Sequence, residues 1–206
     1  MDISVTNLSK TFYQKPVISN LDFKIKSGEC VGIFGPNGSG KTTLLKMVSG
    51  IMSIDSGTIS IGNQKISPEN LIPRQSLYYV GHELGFYSGL TGNENLEFIL
   101  NLYYKNPTIL DDAIKRVGLE NAMNKMVKFY SQGMKQRLKL LIATLVSSPI
   151  LLLDEPRSGL DEDGINLFQS FLDEWKQDGK TCLIVSHDKE WLSQNTDRLL
   201  KMEAVI

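Results

Sequence analysis

One stretch, Gly35–Thr42, constrains the fold of this chain more than any other feature. It reads Gly-Pro-Asn-Gly-Ser-Gly-Lys-Thr, which fits the pattern G-x-x-x-x-G-K-[ST] without a mismatch. An apolar β-type run, Cys30–Phe34, precedes it, and a helix-like run from Thr42 to Ser49 follows and stops at Gly50. A strand, a glycine-rich turn and a helix in this order predict a phosphate-binding loop in an α/β protein.

The residue types in this loop suit a polyphosphate, the alternative being a glycine-rich turn with an exposed lysine. Glycines let backbone N–H groups point inward, and the following helix adds its positive N-terminal end. We expect Lys41 to reach the β- and γ-phosphates and the Thr42 hydroxyl to face Mg²⁺, which prefers oxygen ligands. The residues expected to bind here are Gly35, Pro36, Asn37, Gly38, Ser39, Gly40, Lys41, Thr42 and Thr43.

Composition describes an ordinary globular chain. Its 206 residues are 41% hydrophobic and 22% charged, and its net charge of −1 gives no overall attraction to nucleic acid or an anionic membrane. Cys30 and Cys182 lie in separate apolar runs, which predicts buried strand residues in a reducing compartment.

No signal peptide and no membrane span are predicted. The N-terminal residues Met1–Thr6 lack a basic start and an apolar core. The best candidate span, Leu138–Leu153, contains Lys139 and Pro149, and its apolar stretch is short of about 20 residues. We therefore expect a cytoplasmic protein that reaches the inner face of the cell membrane only through a partner.

Periodicity divides the chain into three parts. Predicted strands are Ile3–Leu8, Val17–Ile25, Cys30–Phe34 and Thr58–Ile61, then Ile150–Leu153, Thr181–Val185 and Arg198–Met202. Predicted helices are Asn93–Tyr104, Thr108–Val117, much of Leu119–Lys128, and Met134–Ser147, then Glu162–Lys176 and Lys189–Gln194. Thr91 and Glu94 fit a helix-capping box. The pattern predicts an α/β core with a helical insert.

Two acids follow the apolar run Ile150–Leu153. Asp154 at the end of a buried strand is placed to hold Mg²⁺, and we expect this contact to run through water. Glu155 is placed to orient or deprotonate an attacking water. The alternative is a solvated acidic turn. His187 closes the next predicted strand, where ligands bind in parallel sheets, and its imidazole suits contact with a γ-phosphate and that water. The alternative for His187 is a surface turn.

In order and spacing, these motifs resemble the nucleotide-binding ATPase subunit of ATP-binding-cassette (ABC) transporters over nearly the whole chain. The residues that carry the resemblance are Gly35–Thr42, Ser131–Arg137, Leu153–Pro156, Ser158–Asp161 and His187. The segment Tyr130-Ser131-Gln132-Gly133-Met134 is similar to the family signature L-S-G-G-Q. The resemblance implies a P-loop NTPase core with a mixed or parallel sheet, an N-terminal antiparallel β subdomain and a helical subdomain. We expect a single ABC ATPase domain, with a core of residues 1–92 and 148–206 and a helical part of residues 93–147.

The family also implies ATP and Mg²⁺ as ligands and a head-to-tail homodimer that traps two ATP molecules. Ser131 and Gly133 of one copy would then contact the γ-phosphate held by Lys41 of the other, which suits a hydroxyl and a backbone N–H at a helix start. The signature departs from the family at Gln132 and Met134, and glutamine lacks the backbone freedom of glycine.

Two further residues are matched through the resemblance. His82 stands where the family usually has glutamine, and since imidazole is a poor Mg²⁺ ligand we expect an indirect role, through water or toward the partner. Its alternative is a polar loop residue. Phe12, with Tyr13 second, matches the aromatic residue that stacks on adenine. The alternative is packing on the sheet.

The resemblance implies an ATPase that powers transport through a separate membrane permease, with docking expected near His82–Asn95, where Phe86, Tyr87 and Leu90 look exposed. His82 and its neighbours favour the haem-exporter group of cytochrome c maturation, while Ser131–Leu138 is equally similar to drug and antibiotic exporters. The rival classes are a cassette ATPase acting on ribosomes or DNA, and a nucleotide switch without turnover. The balanced charge argues against the first, and Glu155 with His187 argues against the second.

Overall fold

The computed structural model describes residues 1–67, 70, 72–81, 85–106 and 110–205. The strands are β1 Ile3–Phe12, β2 Lys15–Ile25, β3 Cys30–Phe34, β4 Ser56–Ile61, β5 Gln64–Lys65, β6 Leu77–Val80, β7 Ile150–Asp154, β8 Thr181–Val185 and β9 Arg198–Lys201. The helices are α1 Lys41–Val48, α2 Ile72–Gln75, α3 Gly92–Leu102, α4 Leu110–Arg116, α5 Gln132–Val146, α6 Glu162–Gln177 and α7 Lys189–Asn195, with a 3₁₀ turn at Val127–Phe129.

The strands form two sheets, which confirms the predicted fold class. An antiparallel sheet has the order β2-β1-β4-β5, and a parallel sheet has the order β6-β7-β8-β3-β9. Every residue of β7 and β8 is buried, as expected for parallel strands covered on both faces. Strand β8 lies between β7 and β3, so the segments that follow these three strands emerge beside one another at the carboxyl edge.

The chain separates into two compact units. The first contains residues 1–79, 148–155 and 176–206, and its core joins apolar residues of β1, β3, α1, β7 and β8. The second contains residues 80–147 and 156–175. Cys30 and Cys182 are both buried and unpaired by disulfide, facing each other in the register of β3 and β8. The division into residues 1–92 with 148–206 and residues 93–147 stays a prediction.

The predicted helix over much of Leu119–Lys128 is wrong. Within the described residues this segment consists of turns and the 3₁₀ turn Val127–Phe129. Its apolar residues keep a helix-like spacing because tight turns also bring i and i+3 together. Its backbone groups bond to the loop before α3 and to the first residues of α3: Gly92 N donates to Lys125 O, Asn93 N to Met123 O, and Val127 N to Leu90 O. These bonds replace the ladder that a helix would need.

The other predicted helices are present with small shifts at their ends, and the short helix α2 was not predicted. Helix α4 begins at Leu110 among the described residues, and the predicted start at Thr108 lies outside them. The capping box is confirmed, since Glu94 N donates to Thr91 Oγ1 and Thr91 N donates to Glu94 Oε2. Among the helices given above, none has the length and apolarity needed to cross a bilayer.

Candidate functional site

The phosphate-loop residues form a tight turn between β3 and α1. Gly40 is the N-cap of α1 with φ 87°, and a Cβ there would lie 2.9 Å from Ile18 Cγ1. A Cβ on Gly35 would lie 2.2 Å from Met202 O, so close backbone approach requires glycine at this position. The turn therefore delivers the N-terminal end of α1, with its unpaired N–H groups, to the carboxyl edge of the sheet.

Two polar side chains of this turn, those of Lys41 and Ser39, bear on what it can bind. Lys41 Nζ donates to the carbonyl oxygens of Gly35 and Pro36, each at 2.9 Å, so the ammonium group lies over the turn itself. Ser39 is fully buried, and its hydroxyl has no hydrogen-bond partner among the described residues. A buried hydroxyl without a partner is costly. These features fit an anion with several oxygen acceptors.

Thr42 and Asp154 meet beside the turn. The Thr42 hydroxyl donates to Asp154 Oδ1 at 3.2 Å, and the Tyr79 hydroxyl donates to Asp154 Oδ2 at 3.2 Å. Asp154 is only 2% exposed, because it ends the buried strand β7. The two hydroxyl groups fix the orientation of its carboxylate.

These residues fit Mg²⁺ bound together with phosphate oxygens. Within the part of the chain that the structure describes, no basic side chain pairs with Asp154, and no group of three or more His, Cys, Asp or Glu residues could hold a metal. Mg²⁺ usually takes one or two carboxylates and completes its shell with water and substrate phosphates. Asp154 and Thr42 supply the protein oxygens that such a site needs.

Glu155 and His187 lie side by side at the ends of β7 and β8. His187 Nδ1 is 3.1 Å from Glu155 Oε2, and the His187 side chain is 83% exposed whereas that of Glu155 is 25% exposed. Glu155 has φ 49°, in the left-handed region that side chains rarely adopt. Its N–H still donates to Val185 O, so the chain leaves the sheet abruptly at this residue. Strained residues of this kind cluster at functional sites.

The signature residues form the start of α5. Ser131 is the N-cap, and its hydroxyl oxygen accepts the N–H of Met134 at 3.2 Å, while Gly133 lies in the first turn. Gln132 has an ordinary helical backbone within α5. Its side chain packs at Gly159, where an added Cβ would lie 2.6 Å from Gln132 Cγ. Glutamine is therefore accommodated without the backbone freedom of glycine.

Two side chains of α5 hold the segment that follows Glu155. Gln136 is buried, and its Nε2 donates to Pro156 O at 2.7 Å. Arg137 Nη2 pairs with Asp161 Oδ1 at 2.8 Å. The hydrogen bond from Arg137, with that from the N–H of Gly164, holds the pKa of Asp161 below its usual value. The turn Ser158–Asp161 is thereby fixed to the signature helix.

Phe12 and Tyr13 occupy different settings at the end of β1. Phe12 is half-buried, and the Lys10 ammonium lies 5.4 Å from its ring centroid. Tyr13 is 99% exposed with φ 48°, in the turn between β1 and β2. Phe12 is therefore the better placed of the two aromatic residues to form a fixed stacking surface.

His82 lies outside the described residues. Of the expected docking segment, Tyr87 is 57% exposed, and Phe86 and Leu90 are half-buried. The buried side chain of Asn95 organises this segment by accepting from Tyr87 N at 2.8 Å and donating to the carbonyl oxygens of Tyr87 and Thr91.

Two residues of these sites were not predicted from the sequence. Tyr79 reaches Asp154 from the neighbouring strand, and the only sequence signal is an aromatic hydroxyl shortly before His82. Asn95 sits on α3 among apolar residues, and a polar residue on the buried face of a helix is the signal that could have found it. Both depend on contacts that the linear pattern does not specify.

Comparison with known proteins gives consistent relatives. A model of the ABC transporter family matches residues 18–158. The chain is 31% identical to the ABC transporter ATP-binding protein NatA of Bacillus subtilis (strain 168) over 211 residues, covering 98% of this chain and 86% of NatA. It is 30% identical to the lantibiotic transport ATP-binding protein SrtF of Streptococcus pyogenes over 185 residues, 90% of this chain and 80% of SrtF. It is 34% identical to the cytochrome c biogenesis ATP-binding export protein CcmA of Cupriavidus pinatubonensis (strain JMP 134 / LMG 1197) over 176 residues, 84% of this chain and 77% of CcmA.

Solved structures agree with the sequence relatives. The dimeric structure of MJ0796, a bacterial ABC transporter cassette, superposes with a TM-score of 0.87 at 26% identity, over 98% of this chain and 94% of that chain. The dimeric post-hydrolysis state of MJ0796 bound to ADP and Pi also gives a TM-score of 0.87 at 26% identity, over 99% of this chain and 97% of that chain.

Proposed function

Because this chain belongs to the ABC transporter ATPase family, we propose that it hydrolyses ATP to power transport through a separate membrane permease. One observation carries the proposal: Thr42 contacts Asp154, and Glu155 contacts His187, beside a turn built to bind phosphate. A phosphate turn alone would serve a nucleotide switch. A paired carboxylate and imidazole at the same edge of the sheet supply the groups that hydrolysis needs.

In the proposed reaction, water adds to the γ-phosphorus of ATP and the bond to the bridging oxygen breaks, giving ADP and inorganic phosphate. Glu155 accepts the proton of the attacking water, and His187 holds the Glu155 carboxylate and faces the γ-phosphate. Lys41 and the N–H groups of the turn stabilise the charge on the phosphoryl oxygens. Mg²⁺ bound near Thr42 and Asp154 would neutralise the β- and γ-oxygens.

The first experiment compares ATP turnover and ATP binding in the wild type and Glu155→Gln. We expect the amide to lower turnover by about 100-fold or more, because it cannot accept a proton. ATP affinity should change little, since the phosphate turn is intact. Asp163→Asn, a change of the same kind on the exposed start of α6, is the control and should turn over like the wild type. A wild type no faster than Glu155→Gln would leave only the nucleotide switch.

We propose that two copies close head to tail on ATP, with Ser131 and Gly133 of one copy contacting the γ-phosphate bound by the other. The dimeric relative MJ0796 supports a dimer. The N-terminal end of α5 supports the trans contact, because its early N–H groups lack helical acceptors and the dipole favours an anion there. Hydrolysis would remove this bridge and open the dimer.

The permease is proposed to dock on an apolar patch formed by Tyr87, Phe98 and Leu102. Tyr87 and Phe98 meet edge to face with centroids 5.1 Å apart, and the three residues are 57%, 40% and 59% exposed. Large apolar side chains that stay exposed on a folded surface often mark a binding site, and an amphipathic cytoplasmic helix of a membrane protein could pack its apolar face on them. Asn95 fixes the backbone beneath Tyr87, so the patch is preformed.

For the cargo, we propose haem export in cytochrome c maturation, with drug or antibiotic export as the second candidate. The sequence Tyr79-Val80-Gly81-His82-Glu83 and the relative CcmA favour the first. The relative SrtF, a lantibiotic transport protein, favours the second. Reconstitution in vesicles with the permease that co-purifies with this chain separates them. Turnover stimulated by haem and not by cationic peptide antibiotics supports haem export, and the reverse result supports antibiotic export.

A further inference from the structure

The end of β1 is built in an unusual way. Strand β4 pairs with β1 only as far as the Ser9–Ser56 pair, whereas β1 runs on to Phe12. On its other side, β1 stays paired with β2 to the Phe12–Lys15 pair. The last residues of β1 therefore lack a strand partner on the β4 side, where they would present unpaired backbone groups.

The side chain of Asp55 takes the place of the missing strand. Its Oδ2 accepts the N–H of Thr11 at 2.7 Å, and its Oδ1 pairs with Lys10 Nζ at 2.7 Å. Its own N–H donates to Ser9 O. Lys10 is 8% exposed, so its ammonium group is held in a largely dry position. One carboxylate thus fixes both the backbone and the cation beside Phe12, through charge-assisted hydrogen bonds that are stronger than neutral ones.

The turn after Phe12 is strained. Tyr13 and Gln14 have φ values of 48° and 64°, so both residues between β1 and β2 adopt the left-handed conformation that a tight hairpin requires and that glycine or asparagine usually supplies. Backbone strain of this kind persists only where surrounding contacts hold it. On the β4 side, Asp55 supplies such contacts through Ser9, Lys10 and Thr11.

We propose that Asp55 is a positioning residue for nucleotide recognition: it clamps Lys10 and Thr11 so that the Phe12 ring is held as a platform for the adenine base. The inference rests on the proposed function, because it needs ATP as the ligand. Asp55 itself touches no substrate. Its effect reaches the base through Phe12, and it leaves the triphosphate contacts of Gly35–Thr42 unchanged.

Comparing two ligands isolates this role. The dissociation constants of ATP and of inorganic tripolyphosphate are measured with Mg²⁺ by titration calorimetry, since the two share phosphates but only ATP has a base. Stacking of a base on an aromatic ring contributes about 1–3 kcal/mol. We therefore expect Phe12→Ala to weaken ATP binding by about 5- to 150-fold. Asp55→Ala should weaken ATP binding by about 3- to 10-fold. The affinity for tripolyphosphate should be unchanged in both variants.

Asp2 provides a matched control. Its Oδ1 accepts the N–H of Ser27 at 2.9 Å, its Oδ2 pairs with Lys24 Nζ, and its side chain is 41% exposed, compared with 43% for Asp55. Asp2→Ala removes the same kind of contact at the other end of β1 from Phe12. It should leave the affinities for ATP and for tripolyphosphate unchanged. Asp55→Asn keeps an acceptor for Thr11 N–H but loses the charge. Its ATP affinity should lie between those of the wild type and Asp55→Ala. It also serves as the measurable variant if Asp55→Ala does not fold.

The double variant Phe12→Ala with Asp55→Ala gives the decisive comparison. If Asp55 acts through Phe12, the double variant binds ATP no more weakly than Phe12→Ala alone. Equal losses for ATP and tripolyphosphate, an unchanged ATP affinity in Asp55→Ala, or additive losses in the double variant would each overturn the proposal. A wild type that binds tripolyphosphate but not ATP overturns it as well. A wild type that binds neither ligand overturns the proposed function, so the two failures are distinguishable.

Discussion

The phosphate-turn region and the signature region differ in how their functional groups are engaged. Around Gly35–Thr42, the candidate metal-binding and catalytic side chains contact one another in pairs: Thr42 contacts Asp154, and Glu155 contacts His187. At the start of α5, Ser131 accepts hydrogen bonds from Met134 and Lys135 of its own helix, while Gln136 and Arg137 hold the neighbouring turn. The first region is assembled within one copy. The second is a helix start whose first turn offers backbone N–H donors and the Ser131 hydroxyl but contains no acidic side chain.

This difference indicates where each region can be damaged. A change in the first region should impair a single copy by itself, because the affected contacts are internal. A change at Ser131 or Gly133 should leave ATP binding by one copy intact and impair only a step that needs the second copy.

The largest expected effect comes from mixing two inactive variants. Lys41→Met should abolish tight ATP binding, and Ser131→Arg should leave single-copy binding intact but block closure, so each should lose about 100-fold or more in turnover. In a mixture, half of the dimers contain both copies and hold one intact site. Turnover should then recover to about a quarter of wild type if the sites work independently. Turnover is measured by phosphate release against the mixing ratio.

The control for this mixture is a pair of variants that damage the same region, Lys41→Met with Glu155→Gln. These two leave every mixed dimer with one site lacking Lys41 and the other lacking Glu155, so turnover should stay low. Equal recovery in both mixtures would contradict the trans arrangement, as would a Ser131→Arg copy that no longer binds ATP.

A smaller effect is expected from Tyr79→Phe. The loss of a hydrogen bond to a charged carboxylate frees Asp154 to rotate, and such bonds are worth about 1.5–3 kcal/mol. The Mg²⁺ concentration for half-maximal turnover should rise by about 3- to 10-fold. Mn²⁺ binding in the presence of ADP, followed by electron paramagnetic resonance, should weaken in parallel, while ATP binding in EDTA should not change.

Tyr130→Phe is the matched control for Tyr79→Phe. It also removes a hydroxyl hydrogen bond, from Tyr130 to Ala122 O at 2.7 Å, but in the other unit of the chain. It should lower stability without shifting the metal dependence. An unchanged or lower Mg²⁺ midpoint in Tyr79→Phe would show that the hydroxyl does not position Asp154.

A change of stability is expected from Gln136→Leu. This substitution leaves the buried carbonyl of Pro156 without its donor, which costs about 1–3 kcal/mol. The Tm should fall by about 2–10 °C, as measured by calorimetry, with single-copy ATP affinity unchanged. Gln169→Leu, at an exposed hydrogen bond to Asp173, should change Tm by far less. A large loss of ATP affinity in Gln136→Leu would remove the distinction between the two regions.

The smallest effect is a pH dependence of the signature region. Arg137 holds the pKa of Asp161 below its usual value, so the charged carboxylate stabilises the fold above its unfolded pKa of about 4. That contribution is lost as the pH falls below about 4 through the lowered pKa of the folded state. Asp161→Asn should therefore lower Tm at pH 7 and lower it by less at pH 3. A Tm difference that is the same at both pH values would argue against the Arg137 pairing.

Features carried by contiguous residues were predictable from the sequence. The turn Gly35–Thr42 is specified by adjacent residues, because a tight backbone curl needs glycine at fixed places. Asp154, Glu155 and His187 were predictable because each follows a run of buried strand residues, and parallel strands bring such ends to one edge. The roles of these residues remain predictions.

Contacts between distant residues were not predictable in the same way. Asp55 and Thr11 are 44 residues apart, and nothing in the local pattern of either indicates the pairing. Tyr79 and Asp154 are 75 residues apart and meet only because β6 adjoins β7. The wrong helix at Leu119–Lys128 has a related cause, since its hydrogen bonds go to residues 88–93 and the apolar spacing alone did not reveal them.

The left-handed backbone of Glu155 implies a conflict between ATP turnover and thermal stability at this position. Glycine would adopt φ 49° without strain, so Glu155→Gly should relieve the backbone locally by about 1 kcal/mol even as it removes the proposed proton acceptor. Directed evolution for heat resistance alone would therefore drift toward inactive sequences at this position. A screen that retains the native acid must require turnover at each round, and stabilising changes are better sought elsewhere in the chain.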